Sequence, residues 1–527
     1  MPTFTINGIS ATVPDGTTIL AAAIRIGVEI PHYCYHPKLS IAGNCRMCLV
    51  EVEKFPKLQI ACNTVVTEGM VVRTDTEKIR KAVTGVLELM LIHHPVDCPI
   101  CDQAGECGLQ NYYMKYGLHK SRYDLEDKVR KKKVQDIGGM IVLDAERCIL
   151  CSRCIRFLRE VSKTCEMEFF QRGDHSEISI FPGRKLDNYY TGNLADICPV
   201  GALTNKDFRF KCRVWFLSSF DSVCTGCANG CNVLADFKGD ILYRLKPRRN
   251  DAVNQTWMCD FGRLEYRKAN EARLLVPVLR ENGKAAAAAW EGVLSTTALR
   301  LRDIADNEGP DAVAVIASPR SSNEELFLAK KLAAEVLKTE NIGFTSRTPG
   351  DRTSDDFLIK GDKNPNSTGA QLLGITEEGF GRVVKAISDR KIRALLVFGS
   401  ELSDFPDSQV EALLSNVPFV AQVGTNEGVV SRVANAVLPS ASFAERGGTF
   451  TNFTGRVQRF SQGFPPRGKA MNEIEILAGL ANRMGADWKF DGEASVFRAL
   501  AASSAPFAGM SYESLGSEGQ VVAEGRK

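Results

Sequence analysis

Sixteen residues in the first half of the chain have the types and spacings of metal ligands, and they fall into four sets of four. The most compact is His94, Cys98, Cys101 and Cys107, at H-x3-C-x2-C-x5-C within HHPVDCPICDQAGECGLQ. One imidazole with three thiolates makes a cluster less negative by one charge than four thiolates do, which changes its potential and its coupling to protons. His93 competes with His94 for the role, and His94, just ahead of Pro95, is the expected ligand. A second set follows in ERCILCSRC, with Cys148, Cys151 and Cys154 at C-x2-C-x2-C and Cys198 arriving late in a Cys-Pro pair. That spacing is the one that holds a 4Fe-4S cube.

Nearer the start, Cys34, Cys45, Cys48 and Cys62 stand at C-x10-C-x2-C-x13-C around GNCRMCLVEVE. The small, polar loop lets backbone amides approach cluster sulfides, which points to a 2Fe-2S cluster. Four thiolates also suit zinc, but zinc ribbons pair two C-x2-C knuckles and only one is present. The last set is Cys224, Cys227, Cys231 and Cys259, at C-x2-C-x3-C-x27-C, with Gly226 and Gly230 permitting a tight turn. A third cube is the expected occupant, and zinc is the alternative. Cys165 and Cys212 fit no ligand pattern and are expected as small buried hydrophobes.

All 17 cysteines lie at or before Cys259. Disulfide frameworks belong to small secreted chains, so ligation explains the clustering better. At 527 residues the chain is too long for a single core. A net charge of +3 gives no general case for nucleic acid or an acidic membrane surface. No apolar run reaches the ~18 residues of a spanning helix. The N-terminus enters a strand pattern at once, without the apolar stretch of a signal peptide, so a bacterial cytoplasmic location is expected.

Several elements must position these ligands. FTINGISATV reads as two strands split by Asn7-Gly8, a type I′ hairpin signal, and a short helix starts near Thr18. Thr74 and Glu77 look like a capping box for a helix with Ile79, Val83, Val86, Leu87, Met90 and Leu91 at helical spacing, which delivers His94. DLEDKVRKKK reads as a solvated connector, and IRFLREVSKTC as a helix over the second set. Beyond about residue 260, DAVAVIA, RALLVFG and FVAQVGT read as buried strands separated by helices such as NEELFLAKKLAAEVL, an α/β pattern. ERGGTFTNFTGRVQ looks like a binding loop. No G-x-G-x-x-G opens a helix after a strand and no P-loop is present, so neither a nicotinamide nor a nucleotide-triphosphate site is expected.

Together, in order and spacing, these four cysteine blocks resemble the large iron-sulfur subunit of respiratory complex I, the G subunit or 75 kDa subunit family. AVLPSASFAERGGTFTNFTGRVQ is similar to the corresponding loop of molybdopterin oxidoreductases, to which that family's C-terminal half is related. The resemblance implies ferredoxin-like α+β iron-sulfur domains followed by an α/β molybdopterin-oxidoreductase-like domain that has lost its molybdenum. The expected segments are a 2Fe-2S domain (1–75), a His/Cys3 4Fe-4S domain (76–118), a ferredoxin-like 4Fe-4S domain (119–215), a molybdopterin-oxidoreductase-type 4Fe-4S domain (216–275), a truncated α/β domain (276–505) and a flexible tail (506–527). Family members extend well beyond 527 residues, a departure that bears on the relatives' last domain.

What the family does implies an electron relay. Electrons from NADH enter at a flavin on a neighbouring subunit, reach the 2Fe-2S cluster, pass to the cubes at Cys148 and His94, and leave toward quinone. The cluster at Cys224–Cys259 sits off this path. Implied partners are the flavoprotein NADH-binding subunit, a thioredoxin-like 2Fe-2S subunit and a ferredoxin-like 8Fe-8S subunit, on the cytoplasmic side of the inner membrane. Such chemistry needs no general acid, base or nucleophile, so no catalytic side chain is assigned. The alternative is the iron-sulfur/molybdopterin subunit of an NAD-linked formate dehydrogenase, which usually adds a second ferredoxin-type cube; one C-x2-C-x2-C is present here.

Overall fold

The computed structural model describes residues 1–345, 354–399, 402 and 405–523. It divides into two compact units, Met1–Leu217 and Ser218–Lys527.

The first unit opens with a hairpin, Thr3–Ile6 against Ile9–Thr12, in which Ile6 faces Ile9 across a two-residue loop. Asn7 and Gly8 both have positive φ (49° and 84°), the type I′ geometry that matches strand twist. Val71–Arg73, Leu49–Val52 and Gln59–Ile60 complete a five-stranded sheet. Helix Ile19–Arg25, capped by the Thr18 hydroxyl accepting from the Ala21 N–H, packs Ile19, Leu20, Ala22 and Ala23 against Phe4, Ile6, Val50 and Val72.

Helix Glu77–Leu91 follows, with Ile79, Val83 and Leu87 buried as the periodicity expects. Its cap is Thr76, whose hydroxyl accepts from the Ile79 N–H, and not Thr74. Thr74 is occupied elsewhere: Asn7 donates to its hydroxyl and accepts from its N–H. The helix ends before His93 and His94, and helix Gly108–Tyr116 packs on it. The basic connector is more than a solvated run. Lys128 Nζ donates to the carbonyls of Leu91 and His94, and the Val129 N–H donates to His93 Nδ1. A three-stranded sheet (Gln135–Asp136, Ile141–Leu143, Leu203–Asn205), the hairpin Met167–Phe170/Glu177–Ile180 and helices Arg153–Glu160 and Asn193–Ile197 finish the unit.

The second unit begins with an antiparallel sheet of Ser218–Val223, Asn232–Lys238 and Ile241–Pro247. Its centre is a seven-stranded sheet. Ala436–Pro439, Phe419–Gly424, Ala394–Phe398, Val313–Ile316 and Ile342–Gly343 run parallel, and the hairpin Val278–Glu281/Lys284–Ala287 is added antiparallel at one edge. The three strands read from sequence are buried along their whole length, because helices cover both faces.

Two expectations fail here. The ERGGTFTNFTGRVQ segment, read as a loop, is built as strands: Gly448–Thr451 and Arg456–Phe460 pair as a hairpin, with only the residues between them forming its turn. The chain from 506 is no flexible tail through its described part. Phe507, Met510, Tyr512 and Leu515 are buried against Val457, Phe497 and Leu500, and Gln520–Val521 pairs with Arg456–Val457. Four apolar anchors outweigh the Ser, Gly and Glu between them; residues 524–527 lie outside the described residues.

Candidate metal centres

In the first set, Cys34, Cys45, Cys48 and Cys62 are all buried, and the structure brings them together. The Cys34 thiol hydrogen-bonds those of Cys45 and Cys62, and Cys48 bonds Cys62. Positive φ at Gly43 (62°) and Arg46 (58°) curls the loop around them. Cys34 and Cys48 are held below the usual thiol range by hydrogen bonds from their neighbours; Cys45 and Cys62, as the donors, are pushed up. Four thiols sharing protons in this way would surrender them to cationic iron.

In the second set, Cys98, Cys101 and Cys107 lie on a tight 3-10 turn and the loop after it, relaxed by Gly105 at φ 91°. Burial pushes the Cys101 and Cys107 thiols up. Burial lowers His94 to about 4, so the imidazole is neutral, as a ligand must be. Its Nδ1 accepts from the Val96 N–H at 3.0 Å. His93 is turned to other work, accepting from the Val129 N–H and stacking edge-on with Tyr123. Burial raises the Asp97 carboxyl, but bidentate hydrogen bonds from Arg147 (2.9 and 2.6 Å) and one from Lys133 outweigh it and hold Asp97 at about 2.

Cys148, Cys151, Cys154 and Cys198 line one cavity, closed by Leu143, Ile178 and Leu203. Left-handed Leu150 (φ 55°) and Ser152 (φ 62°) turn the C-x2-C-x2-C run around it, and the Leu150 N–H donates to Cys148 Sγ at 3.4 Å. Burial drives the Cys148 and Cys198 thiols up to about 12. Cys224, Cys227, Cys231 and Cys259 line another cavity in the second unit. There the Gly226 N–H donates to Cys224 Sγ (3.4 Å), the Gly262 N–H to Cys259 Sγ (3.3 Å) and Asn229 Nδ2 to Cys231 Sγ (3.1 Å). A Cβ at Gly262 would meet Cys224 Sγ at 2.8 Å, so glycine is what the cradle admits. The Gly448–Phe460 region braces this loop: Gln458 donates to the Gly230 carbonyl and Asn452 to that of Asn229.

The third and fourth sets surround cavities with amides aimed at sulfur, which fits the ligand shell of a polynuclear cluster.

Contacts that the sequence did not reveal join the first three sets. Arg156 Nη2 donates to the carbonyls of Cys34 (2.5 Å) and Cys151 (3.4 Å), and Asn44 donates to the Leu150 carbonyl. The Gly108 N–H donates to the Pro199 carbonyl at 3.0 Å, and a Cβ at Gly201 would meet Cys101 Sγ at 2.3 Å. The available signals were a charged residue on a buried helix face, between Ile155 and Phe157, and a glycine three residues after Cys198. Cys165 corrects another expectation. It is exposed, because Leu158 accepts the N–H groups of both Thr164 and Cys165, and the sharp turn leaves Cys165 left-handed at φ 51°. Cys212 is half-buried, its thiol donating to the Arg213 carbonyl.

Fold and donor sets define an iron-sulfur protein with a molybdopterin-oxidoreductase-type second half. Four family models match in chain order. They are a 2Fe-2S iron-sulfur cluster binding domain over 1–77, the NADH-ubiquinone oxidoreductase-G iron-sulfur binding region over 84–122, the ferredoxin-like domain of NADH-quinone oxidoreductase subunit 3 over 138–204, and molybdopterin oxidoreductase over 273–364 and 362–483. The G subunit of NADH-quinone oxidoreductase from Rickettsia felis is 42% identical over 327 residues, 62% of this chain and 48% of that protein. Its counterpart from Streptomyces coelicolor is 37% identical over 409 residues, 76% of this chain and 47% of that protein. The mitochondrial 78 kDa subunit of NADH-ubiquinone oxidoreductase from Candida albicans is 30% identical over 603 residues, 92% of this chain and 83% of that protein. The chain belongs to this family, the G subunit in bacteria and the 75–78 kDa subunit in mitochondria. It spans about half the length of the two bacterial relatives.

Proposed function

We propose that the chain is an electron-relay subunit of an NADH-quinone oxidoreductase, taking electrons from a flavin-bearing NADH-oxidising partner and handing them on toward quinone. The carrying observation is the contiguity of three donor sets in one unit. Arg156 ties the Cys34 loop to the Cys151 loop, and Pro199 and Gly201 tie Cys198 to Cys107 and Cys101. A relay needs sites this close, and an iron store or structural zinc does not.

Cys34, Cys45, Cys48 and Cys62 would hold a 2Fe-2S cluster. His94 with Cys98, Cys101 and Cys107, then Cys148, Cys151, Cys154 and Cys198, then Cys224, Cys227, Cys231 and Cys259 would each hold a 4Fe-4S cluster. Such clusters supply reversible one-electron storage with no group transfer. The chain's own work is to fix ligand type, exclude water with apolar walls and aim amides at sulfur, which together set potential. In this reading the flavoprotein, a thioredoxin-like 2Fe-2S subunit and a ferredoxin-like 8Fe-8S subunit are the partners, and the chain lies peripherally at the cytoplasmic face of the membrane. No described helix is long and apolar enough to cross it.

The test is iron, sulfide, zinc and molybdenum content after anaerobic purification. About 14 iron with matching sulfide and no molybdenum is expected from one 2Fe-2S and three 4Fe-4S clusters. About 10 iron with one zinc would remove the Cys224 cluster from the reading. Stoichiometric molybdenum would replace the relay with a dehydrogenase.

A further inference from the structure

A cation shut away from water needs an anion beside it. Three buried arginines have one: Arg147 faces Asp97, Arg273 faces Glu445 and Arg446 faces Glu325. Arg153 and Arg156 do not. They stand at i and i+3 of helix Arg153–Glu160, so two like charges share one face. Arg156 is 8% exposed, and Arg153 is half-buried with its Nε sealed from solvent and without a hydrogen-bond partner. Among the described residues, all the hydrogen bonds of both guanidiniums go to neutral oxygens. Glu160, one turn further along the helix, is exposed and accepts instead from the Ser40 N–H and hydroxyl. Most of the oxygens that receive the arginines belong to two donor sets at once. Arg156 Nη2 donates to the carbonyls of Cys34 (2.5 Å) and Cys151 (3.4 Å). Arg153 donates to the carbonyl of Tyr35, next to Cys34, at 2.5 Å and to that of Ile197, next to Cys198, at 3.1 Å. Burial lowers Arg153 below the ordinary guanidinium range, and the groups that oppose the shift are Cys151, Cys198 and Cys34.

We propose that Arg153 and Arg156 are potential-setting residues, countercharges that raise together the reduction potentials of the clusters held by Cys34–Cys62 and by Cys148–Cys198. The proposal rests on the relay reading and adds what tunes two of its stations. A cluster on four thiolates is a net anion, and taking up one electron makes it more negative by one charge, with no bond made or broken. A fixed cation favours that reduced form, and in the interior salt screens it little. Each guanidinium touches both sets, so both potentials rise in step and the difference between them is kept. The His94 set receives no such lift, because Arg147 beside it is cancelled by Asp97.

The experiment is a mediator redox titration of the anaerobically purified chain, followed by EPR. The 2Fe-2S signal is read directly, and the cube at Cys148–Cys198 is the signal that Cys154→Ala removes. Arg156→Gln and Arg153→Gln should each shift both equilibria toward the oxidised form by about tenfold, a midpoint lower by about 59 mV for one electron. The double glutamine variant should shift them further, Arg156→Lys should stay near wild type, and the shifts should persist at high salt. The His94 and Cys224 signals should not move. Arginines that merely brace the loops would lose iron without moving a midpoint. Unchanged midpoints in iron-loaded glutamine variants overturn the proposal, as does a shift as large in Arg156→Lys as in Arg156→Gln. If the glutamine variants do not load iron, loading by Arg156→Lys with wild-type midpoints upholds the need for charge, and failure of all three overturns it. The relay reading fails on a different result. Clusters whose midpoints move as stated, yet which NADH and the flavin-bearing partner do not reduce, sink the relay and leave the countercharges; a wild type without a reducible 2Fe-2S cluster sinks both.

Discussion

The two units hold their cysteines in opposite ways. In Met1–Leu217 the ligand cysteines are themselves core: Cys48 and Cys62 belong to the apolar cluster under the first sheet, and Cys34, Cys45, Cys107 and Cys151 to the next. In Ser218–Lys527 the large cores on both faces of the seven-stranded sheet contain no cysteine. In the first unit thiols take core positions beside aliphatic side chains, so metal bound to them would be part of that core's packing. The second would keep its fold if its one donor set were emptied. Metal bound in the first unit would therefore contribute folding free energy, and in the second it would be mostly an addition.

Removing iron should expose this contrast most strongly. Anaerobic chelation forfeits binding free energy on the order of 10 kcal/mol per structural site where folding and ligation are coupled. Limited proteolysis of the stripped chain, read by mass spectrometry, should clear fragments from 1–217 while a fragment from 218 onward persists. Equal digestion of both halves would break the comparison.

Single ligands sharpen it. Cys101→Ala and Cys224→Ala should each lose about 4 iron. Only Cys101 lies in the contiguous series, so its loss should cut NADH-driven quinone reduction by about a hundredfold, ~2.7 kcal/mol of barrier, while an artificial acceptor at the flavin still works. Cys224→Ala should leave quinone reduction near wild type. Normal quinone reduction by Cys101→Ala would sink the relay assignment, and a block by Cys224→Ala would bring the second unit into the path.

What could be read from sequence follows the same division. The candidate ligands stand out because ligation calls for fixed residue types and spacing, and the long apolar strands of the second unit were legible because burial on both faces leaves no polar position in them. Illegible were relations through space. Thr74 has the spacing of a cap, but Asn7, distant in sequence, takes its hydroxyl and leaves the helix to Thr76. The Gly- and Thr-rich segment around Gly448 read as a binding loop because glycine marks turns. Here Gly448 marks close approach, since a Cβ there would meet Ser322 at 2.8 Å. Arg156 and Gly201, which bring the donor sets together, carry no motif at all.

Within the second unit the strongest single test is Arg273. Its guanidinium pairs with Glu445 (2.7 Å), both side chains being nearly inaccessible, and also donates to the carbonyls of Ala269 and Thr425. Arg273→Ala strands a buried carboxylate and should cost about 3–5 kcal/mol. Chemical denaturation should register that loss in the transition of the second unit, with the cluster absorbance of the first unit unchanged. A shift in both transitions would mean the units do not unfold independently.

The smallest effect is a pH slope that belongs to the second unit alone. Glu324 is buried and its carboxyl is raised by that burial, although it accepts hydrogen bonds from the Tyr512 hydroxyl and from the N–H and hydroxyl of Thr449. A raised carboxyl means that the folded state holds a proton the unfolded state has released. Stability from this group is therefore present below the unfolded value near 4.5 and is lost as pH rises through the folded value. Each unit of separation is worth about 1.4 kcal/mol. Glu324→Gln keeps the shape and removes the titration, so the second unit's unfolding free energy should fall less steeply with rising pH in the variant. An unchanged slope would mean that the hydrogen bonds from Thr449 and Tyr512 already keep the carboxylate ionised, and that the second unit tolerates a buried charge as readily as the first tolerates its thiolates.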